Sequence, residues 1–190
     1  MSPKLYLTRH GQSVYNTTDR IGGDSGLSNN GKDYALQLYK YFEDKDIEVF
    51  TSKMNRTIET SKYFDESIIQ RFEFLNEIDS GIYDGYTYQQ IKEESLDEYN
   101  KRKSDKYNYR YPEGESYHDL KQRVEEIFNF LKNNNNDKLI ICHTAVIRVI
   151  YGIIFHIPNK DIPYIDVPLN TLFEINQDKL TINKIKIQAS

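Results

Sequence analysis

The stretch Leu5-Tyr6-Leu7-Thr8-Arg9-His10-Gly11 decides the reading of this chain. Its apolar residues supply a short β-strand and Gly11 breaks it, so His10 stands at the strand's carboxyl end. In open α/β sheets ligands bind just outside that end. A guanidinium beside an imidazole at such a lip suits an anionic substrate, and His10 reads as a nucleophile toward phosphoryl groups.

Working outward, a polar glycine-rich loop covers residues 16–28 and contains Arg20-Ile21-Gly22-Gly23-Asp24. Ser28 then caps a helix with Ala35, Leu38, Tyr39 and Phe42 on one face. Residues 48–52 form a second strand, and a helix starting near Asn55 places Arg56 in its first turn. Phe72 and Phe74 alternate in a third strand over 71–75 that ends at Asn76-Glu77. Thr87 and Gln90 make a capping box for a short helix. Residues 101–115 are dense in Lys, Arg, Tyr, Pro and Gly and read as a long loop. Ser116 caps a helix whose buried stripe is Leu120, Val124, Ile127, Phe128 and Leu131, and the run 133–136 marks a solvated turn. Leu139-Ile140-Ile141 belongs to a strand buried on both faces, followed by an apolar helix over 145–155. A hairpin closes the chain over 171–176 and 180–187, with a bulge expected where the apolar phase changes between Ile182 and Ile185. Strands alternating with helices specify an α/β sheet that is mainly parallel.

The whole chain sets bounds on function. Its 190 residues suit one domain spanning 1–190. Formal net charge is −4, which argues against a nucleic-acid binder, yet an anionic metabolite can bind where positive charge is concentrated. A single cysteine, Cys142, excludes an internal disulfide and fits a reducing compartment. The residues 1–4 lead straight into the first strand without a signal core, and no stretch reaches the roughly 20 apolar residues that span a bilayer. A cytoplasmic protein with no membrane partner is expected. The histidines His10, His118, His143 and His156 lack zinc-type spacing, so neither a metal nor a cofactor is expected.

Arg9-His10, Glu77 and His143 each follow a predicted strand, and Arg56 follows another closely. Strands of one direction would bring these groups to one sheet edge. Each alone is more often an ordinary packed or solvated residue; together they fit transfer through a phosphohistidine. A neutral nitrogen of His10 would attack phosphorus. Arg9, Arg56 and His143 would hold the other phosphate oxygens, since positioning and charge stabilisation supply most of the catalysis in this reaction class. Glu77 would protonate the leaving alkoxide and then activate water, a role that asks it to hold a proton beside a bound phosphate. Cys142 should face the core, because neighbouring strand residues point to opposite faces. Gly22-Gly23 is no P-loop, as no Gly-Lys-Ser/Thr follows.

Thr8-Arg9-His10-Gly11, Glu77 and Cys142-His143 resemble the histidine phosphatase superfamily, and segments 20–24, 50–58, 75–81 and 105–117 are similar to the fructose-2,6-bisphosphatase domain of bifunctional phosphofructokinase-2 enzymes. The resemblance implies a three-layer α/β sandwich with a mainly parallel central sheet, of phosphoglycerate mutase type, and hydrolysis of a small phosphorylated sugar. It implies that Asn16 joins the phosphate ligands around His10. It implies too that Tyr88, Arg102, Lys106, Tyr117 and Arg148, with the backbone at Ile21 and Gly22, bind fructose 6-phosphate. Without it, a solvated charged loop is the plainer reading of Arg102 and Lys106. Thr144 stands where that pattern has glutamine, and Tyr83-Asp84-Gly85-Tyr86 looks more like the generic phosphatase branch. No kinase half precedes the first strand, so hydrolysis without synthesis is expected. Alternatives are a broad-specificity phosphomonoesterase, a phosphoglycerate mutase, or a phosphometabolite-binding protein without turnover.

Overall fold

The computed structural model describes residues 3–132 and 135–188. Six strands form one sheet in the order β3-β2-β4-β1-β5-β6. They are β1 (Leu5–Arg9), β2 (Ile47–Thr51), β3 (Ile69–Arg71), β4 (Asp137–Cys142), β5 (Thr171–Asn176) and β6 (Thr181–Lys186). β3, β2, β4 and β1 run parallel, while β5 pairs antiparallel with β1 and with β6. The four parallel strands therefore share one carboxyl edge.

Strand alternation builds a core on each face. Leu5, Leu7, Ile140, Cys142, Phe173 and Ile175 point to one side. There they meet α5 (Tyr117–Val124), α6 (Ile127–Leu131) and α7 (Thr144–Ile154). Tyr6, Val49, Leu139, Ile141 and Leu172 point to the other, against Tyr34, Leu38 and Phe42 of α1 (Asn29–Phe42). Both faces being covered explains the uninterrupted apolar run in β4. A third, small cluster of Tyr83, Ile91 and Tyr111 underlies α3 (Tyr88–Glu94) and α4 (Leu96–Ser104). Among the described residues no helix is long and apolar enough to cross a membrane.

The caps at Ser28, Thr87 and Ser116 are formed as expected, the last two as capping boxes. Four expectations need correction. The expected third strand over 71–75 ends instead at Arg71, and residues Glu73–Leu75 form a 3-10 turn. Phe72 and Phe74 stack on each other with centroids 4.6 Å apart and meet Phe130, so their spacing records aromatic packing. The expected loop over 101–115 begins as the last turn of α4, a helix with no buried residue and hence no apolar period. The helix after Ser116 tightens at Glu125-Glu126 into α5 and α6, although Leu120, Val124, Ile127 and Leu131 keep one buried stripe. The β5–β6 register is continuous, without the expected bulge: Ile182 opposes Ile175 and Ile185 opposes Leu172. Those two isoleucines serve the cores on opposite faces, which accounts for the change of phase. Of the run 133–136, Asn133 and Asn134 lie outside the described residues, as do Met1 and Ser2.

The loop after β1 is pressed against the start of α1. A methyl on Gly11 would collide with the Gly31 carbonyl oxygen, and one on Gly31 with the Gln12 carbonyl oxygen. Only hydrogen fits at these two positions. Gly31→Ala is expected to separate α1 from the His10 loop and to cost about 1–3 kcal/mol of stability, the usual penalty of overpacking. An unchanged urea midpoint in Gly31→Ala would contradict this.

Candidate active site

His10, directly after β1, is 3% exposed. Its Nδ1 lies 2.7 Å from the Gly11 carbonyl oxygen, which can only accept, so Nδ1 carries the hydrogen. The Nε2 lone pair is thereby left free, and it accepts from Arg56 Nε at 3.1 Å. Arg56, in the first turn of α2 (Asn55–Ser61), also donates to the Gly23 carbonyl at 2.7 Å. Thr60, one turn later, accepts the Gly11 N–H and donates to the Arg56 carbonyl, tying the histidine loop to the arginine's helix. Burial, then Arg56 and Arg9, holds the His10 imidazole well below its ordinary value. The ring is neutral at physiological pH and presents a nucleophilic nitrogen.

His143 follows β4 and is the N-cap residue of α7; its ring centroid is 5.2 Å from that of His10. Its Nε2 lies 2.8 Å from Ser52 Oγ, which also touches Thr57 Oγ1 and accepts from the Met54 N–H. The buried Nδ1 has no hydrogen-bond partner among the described residues, and neither does Arg9 Nε. Burial, followed by Arg56, His10 and Arg9, lowers the His143 imidazole as well. Cys142, the preceding residue, points into the core, where burial raises its thiol.

Glu77 does not end a strand: it lies beyond the 3-10 turn Glu73–Leu75 in an irregular segment. Its carboxylate accepts from the Ile78 N–H at 2.9 Å and from the Ala145 N–H at the start of α7 at 3.3 Å. Arg9, His10, Arg56 and Glu77 line one cavity of about 440 Å³ together with Asn16, Ile21, Gly22, Tyr88, Arg102, Lys106, Tyr117 and Arg148. His143, fully buried beside His10, is not among the lining residues.

The cations of the cavity form two overlapping sets. Arg9 and Arg56 act on the His10 ring. Burial and then Arg148 and Arg102 lower the Lys106 amine to about 8, and Arg148 also acts on Arg9, so it joins the two sets. Arg102 donates to the hydroxyls of Tyr111 and Tyr88 at 2.8 and 2.7 Å and lies over the Tyr88 ring. Arg148 donates to Tyr117 Oη and to the Ile165 carbonyl, and Lys106 to the Pro163 carbonyl. Asn16 Oδ1 accepts from the Ser13 N–H at 3.0 Å. Gly22 and Gly23 have positive φ (67° and 63°), and Gly23 N–H meets the Asp84 carboxylate.

With Arg20 included, six cationic side chains and one carboxylate line this cavity. The histidine phosphatase superfamily (branch 1) matches residues 5–188. This chain belongs to that superfamily. It is 41% identical over 174 residues to the bifunctional 6-phosphofructo-2-kinase/fructose-2,6-bisphosphatase 3 of Rattus norvegicus, a match covering 90% of this chain and 31% of that protein. The chain spans about a third of the length of the curated relatives it matches. Among solved structures, YhfR of Bacillus stearothermophilus superposes with a TM-score of 0.81 at 25% identity, covering 96% of this chain and 95% of the other. The α-ribazole phosphatase of Shigella flexneri gives 0.82 at 22% identity, with 98% and 96% covered, a likeness of fold. The histidine phosphatase is a phosphoric monoester hydrolase with a phosphoglycerate mutase-like three-layer fold.

Several groups around the phosphatase site were not legible from sequence. Ser52 orients His143, and nothing in Thr51-Ser52 distinguishes it from a strand-end serine. Tyr109, Tyr111 and Ser80 also line the cavity, as does Tyr15. The tyrosine-rich composition was a signal for the phenols, but it named no position.

Both histidines are held below the ordinary value of about 6.5. The unfolded chain therefore binds protons that the folded site refuses, and stability is lost as pH falls below about 6.5. Side-chain ¹⁵N spectra are expected to show His10 as the neutral Nδ1–H tautomer at pH 6. A cationic His10 signal there would contradict the hydrogen-bond assignment.

Proposed function

We propose that this phosphatase hydrolyses the 2-phosphate of fructose 2,6-bisphosphate, yielding fructose 6-phosphate and inorganic phosphate, through a phosphohistidine on His10. The observation that carries the reading is the pairing, in one cavity, of a nucleophile-ready imidazole with two overlapping sets of cations. The bisphosphatase named in the relatives' descriptions supports the substrate.

In this mechanism the reacting phosphoryl group enters between Arg56 and His10 and exchanges their hydrogen bond for Arg56–phosphate contacts. Nε2 attacks phosphorus as the bond to the sugar oxygen breaks, and Glu77 gives its proton to that oxygen. Arg9, Arg56, Asn16 and His143 hold the remaining phosphoryl oxygens. Glu77 then takes a proton from water, which attacks phosphorus and releases phosphate with His10 restored. Arg102, Lys106 and Arg148 neutralise the 6-phosphate, and Tyr88 and Tyr117 with the backbone at Ile21-Gly22 face the sugar. The volume of about 440 Å³ lies within the ordinary range for small-molecule sites. A single-phosphate ester is the second reading, favoured by the short Thr144 side chain on the cavity wall.

Initial rates on fructose 2,6-bisphosphate, fructose 1,6-bisphosphate, phosphoglycerates and nitrophenyl phosphate test the assignment; no kcat/KM advantage for the first would overturn it. Rapid quenching should trap acid-labile phosphate on His10, and turnover surviving in His10→Ala would end the phosphohistidine mechanism. Arg56→Ala should lower kcat about 10²–10³-fold.

The amine of Lys106 loses its proton as pH rises through about 8. The free enzyme should therefore bind fructose 6-phosphate more weakly above pH 8, and Lys106→Arg should abolish that dependence because arginine stays charged. Calorimetric titration from pH 7 to 9.5 checks it, and identical profiles for the two proteins would remove Lys106 from the phosphate site.

A further inference from the structure

The segment that presents Glu77 belongs to no strand, so sheet hydrogen bonds do not fix it. Buried or half-buried carbonyls still need donors, and one side chain supplies three of them. Arg123, in the last turn of α5, donates through Nη1 to the carbonyls of Phe74 (2.9 Å) and Asn76 (2.8 Å) and through Nη2 to that of Glu77 itself (3.0 Å). The same guanidinium holds the Glu115 carboxylate in a two-bonded fork, 2.7 Å from both Nε and Nη2. Glu115 in turn accepts from the Asp79 N–H at 3.0 Å, and its own N–H donates to the Asp79 carbonyl at 2.9 Å. Residues 74–79 are thus gripped from both ends by one ion pair.

The grip is anchored in the rigid part of the molecule. α5 is fixed by the Ser116–Asp119 capping box and by Leu120 and Val124, both fully buried. Both ionic partners are about one-fifth exposed, so the pair is shielded but not sealed. Leu75 in the core, Phe74 against Phe72 and Phe130, and Asn76 Oδ1 on the Lys53 N–H hold the start of the segment. At Glu77 itself the backbone N–H meets only Met54 Sδ at 3.4 Å, a poor acceptor, and the Ile78 N–H is used by the Glu77 carboxylate.

We infer that Arg123, locked by Glu115, is the positioning residue that aims the Glu77 carboxyl at the leaving oxygen. It touches no substrate and acts through the backbone of residues 74–79. Lysine cannot replace it, because an ammonium lacks the planar fork that serves three carbonyls and a carboxylate at once. The inference rests on the reading of Glu77 as proton donor, and the test separates the two.

The readout is leaving-group dependence. A sugar alkoxide needs a proton to depart, whereas nitrophenolate does not, so a misaimed acid slows phosphorylation of His10 only by the first. Hydrolysis of the phosphohistidine, which uses Glu77 as base, is common to both, so the quantity compared is the rapid-quench rate of His10 phosphorylation. Arg123→Lys should lower that rate about 10²-fold with fructose 2,6-bisphosphate, the scale on which remote misplacement acts. With nitrophenyl phosphate the phosphorylation rate should change less than about threefold. Glu77→Gln should show the same selectivity, and adding Arg123→Lys to it should cost little more. Glu115→Gln, a milder change, should give the same pattern at smaller size and serves if Arg123→Lys fails to fold. If Glu77→Gln is selective while neither Arg123→Lys nor Glu115→Gln is, the positioning role falls. If Glu77→Gln loses both substrates equally, the proton-donor reading falls instead.

Discussion

One hydrogen bond, from His10 Nδ1 to the Gly11 carbonyl, decides which nitrogen of the histidine is free. Without it the ring could present either tautomer, and the Nε2 lone pair that meets Arg56 would be present only part of the time. The bond requires the Gly11 peptide to be held, and three contacts hold it. Its N–H is taken by Thr60, its Cα side is closed by Gly31, and the strand behind it is paired on both edges with β4 and β5. The packing of α1, α2 and the central strand thus converges on the protonation site of a single ring.

The charge pattern works at two ranges. A chain of net charge −4 repels anions in general, yet six cations gather in one recess. Low-dielectric walls focus such a field, so an anion drawn to the mouth is attracted more strongly inside. Burial first, and then the same cations, keep the imidazoles neutral, since a positive ring out of water beside Arg9 and Arg56 is disfavoured. The cations that attract phosphate therefore reinforce the burial that preserves the nucleophile.

What sequence could reveal follows from how local each signal is. β1 and β4 announce themselves by composition, and parallel pairing then fixes that His10 and His143 share an edge. Side-chain caps at Ser28, Thr87 and Ser116 are local hydrogen bonds and were equally legible. α4 was not, because it buries nothing; its only marks are the Ser95 cap, Asp97 and Glu98 in the first turn, and Lys101 to Lys103 in the last, which suit the helix dipole. Arg123 was missed for a different reason. Its partners are backbone carbonyls almost fifty residues away, and carbonyls leave no trace in a sequence.

The two halves of the site stand on supports of different strength. His10, Arg56 and His143 emerge from a sheet edge backed by two large cores. Tyr88, Arg102 and Tyr111 stand on α3, α4 and the following loop, whose own core is three residues. Regions with few buried apolar contacts open at lower free energy than sheet cores do. The layer that recognises the distal part of a ligand can therefore adjust around it while the reacting nitrogen stays fixed. Arg102 couples the adjustment to charge: its two phenol bonds and its stack on Tyr88 satisfy the guanidinium when the cavity holds no anion. A bound phosphate competes for those donors, so recognition on this side redistributes existing hydrogen bonds and leaves no buried cation unpaired in either state.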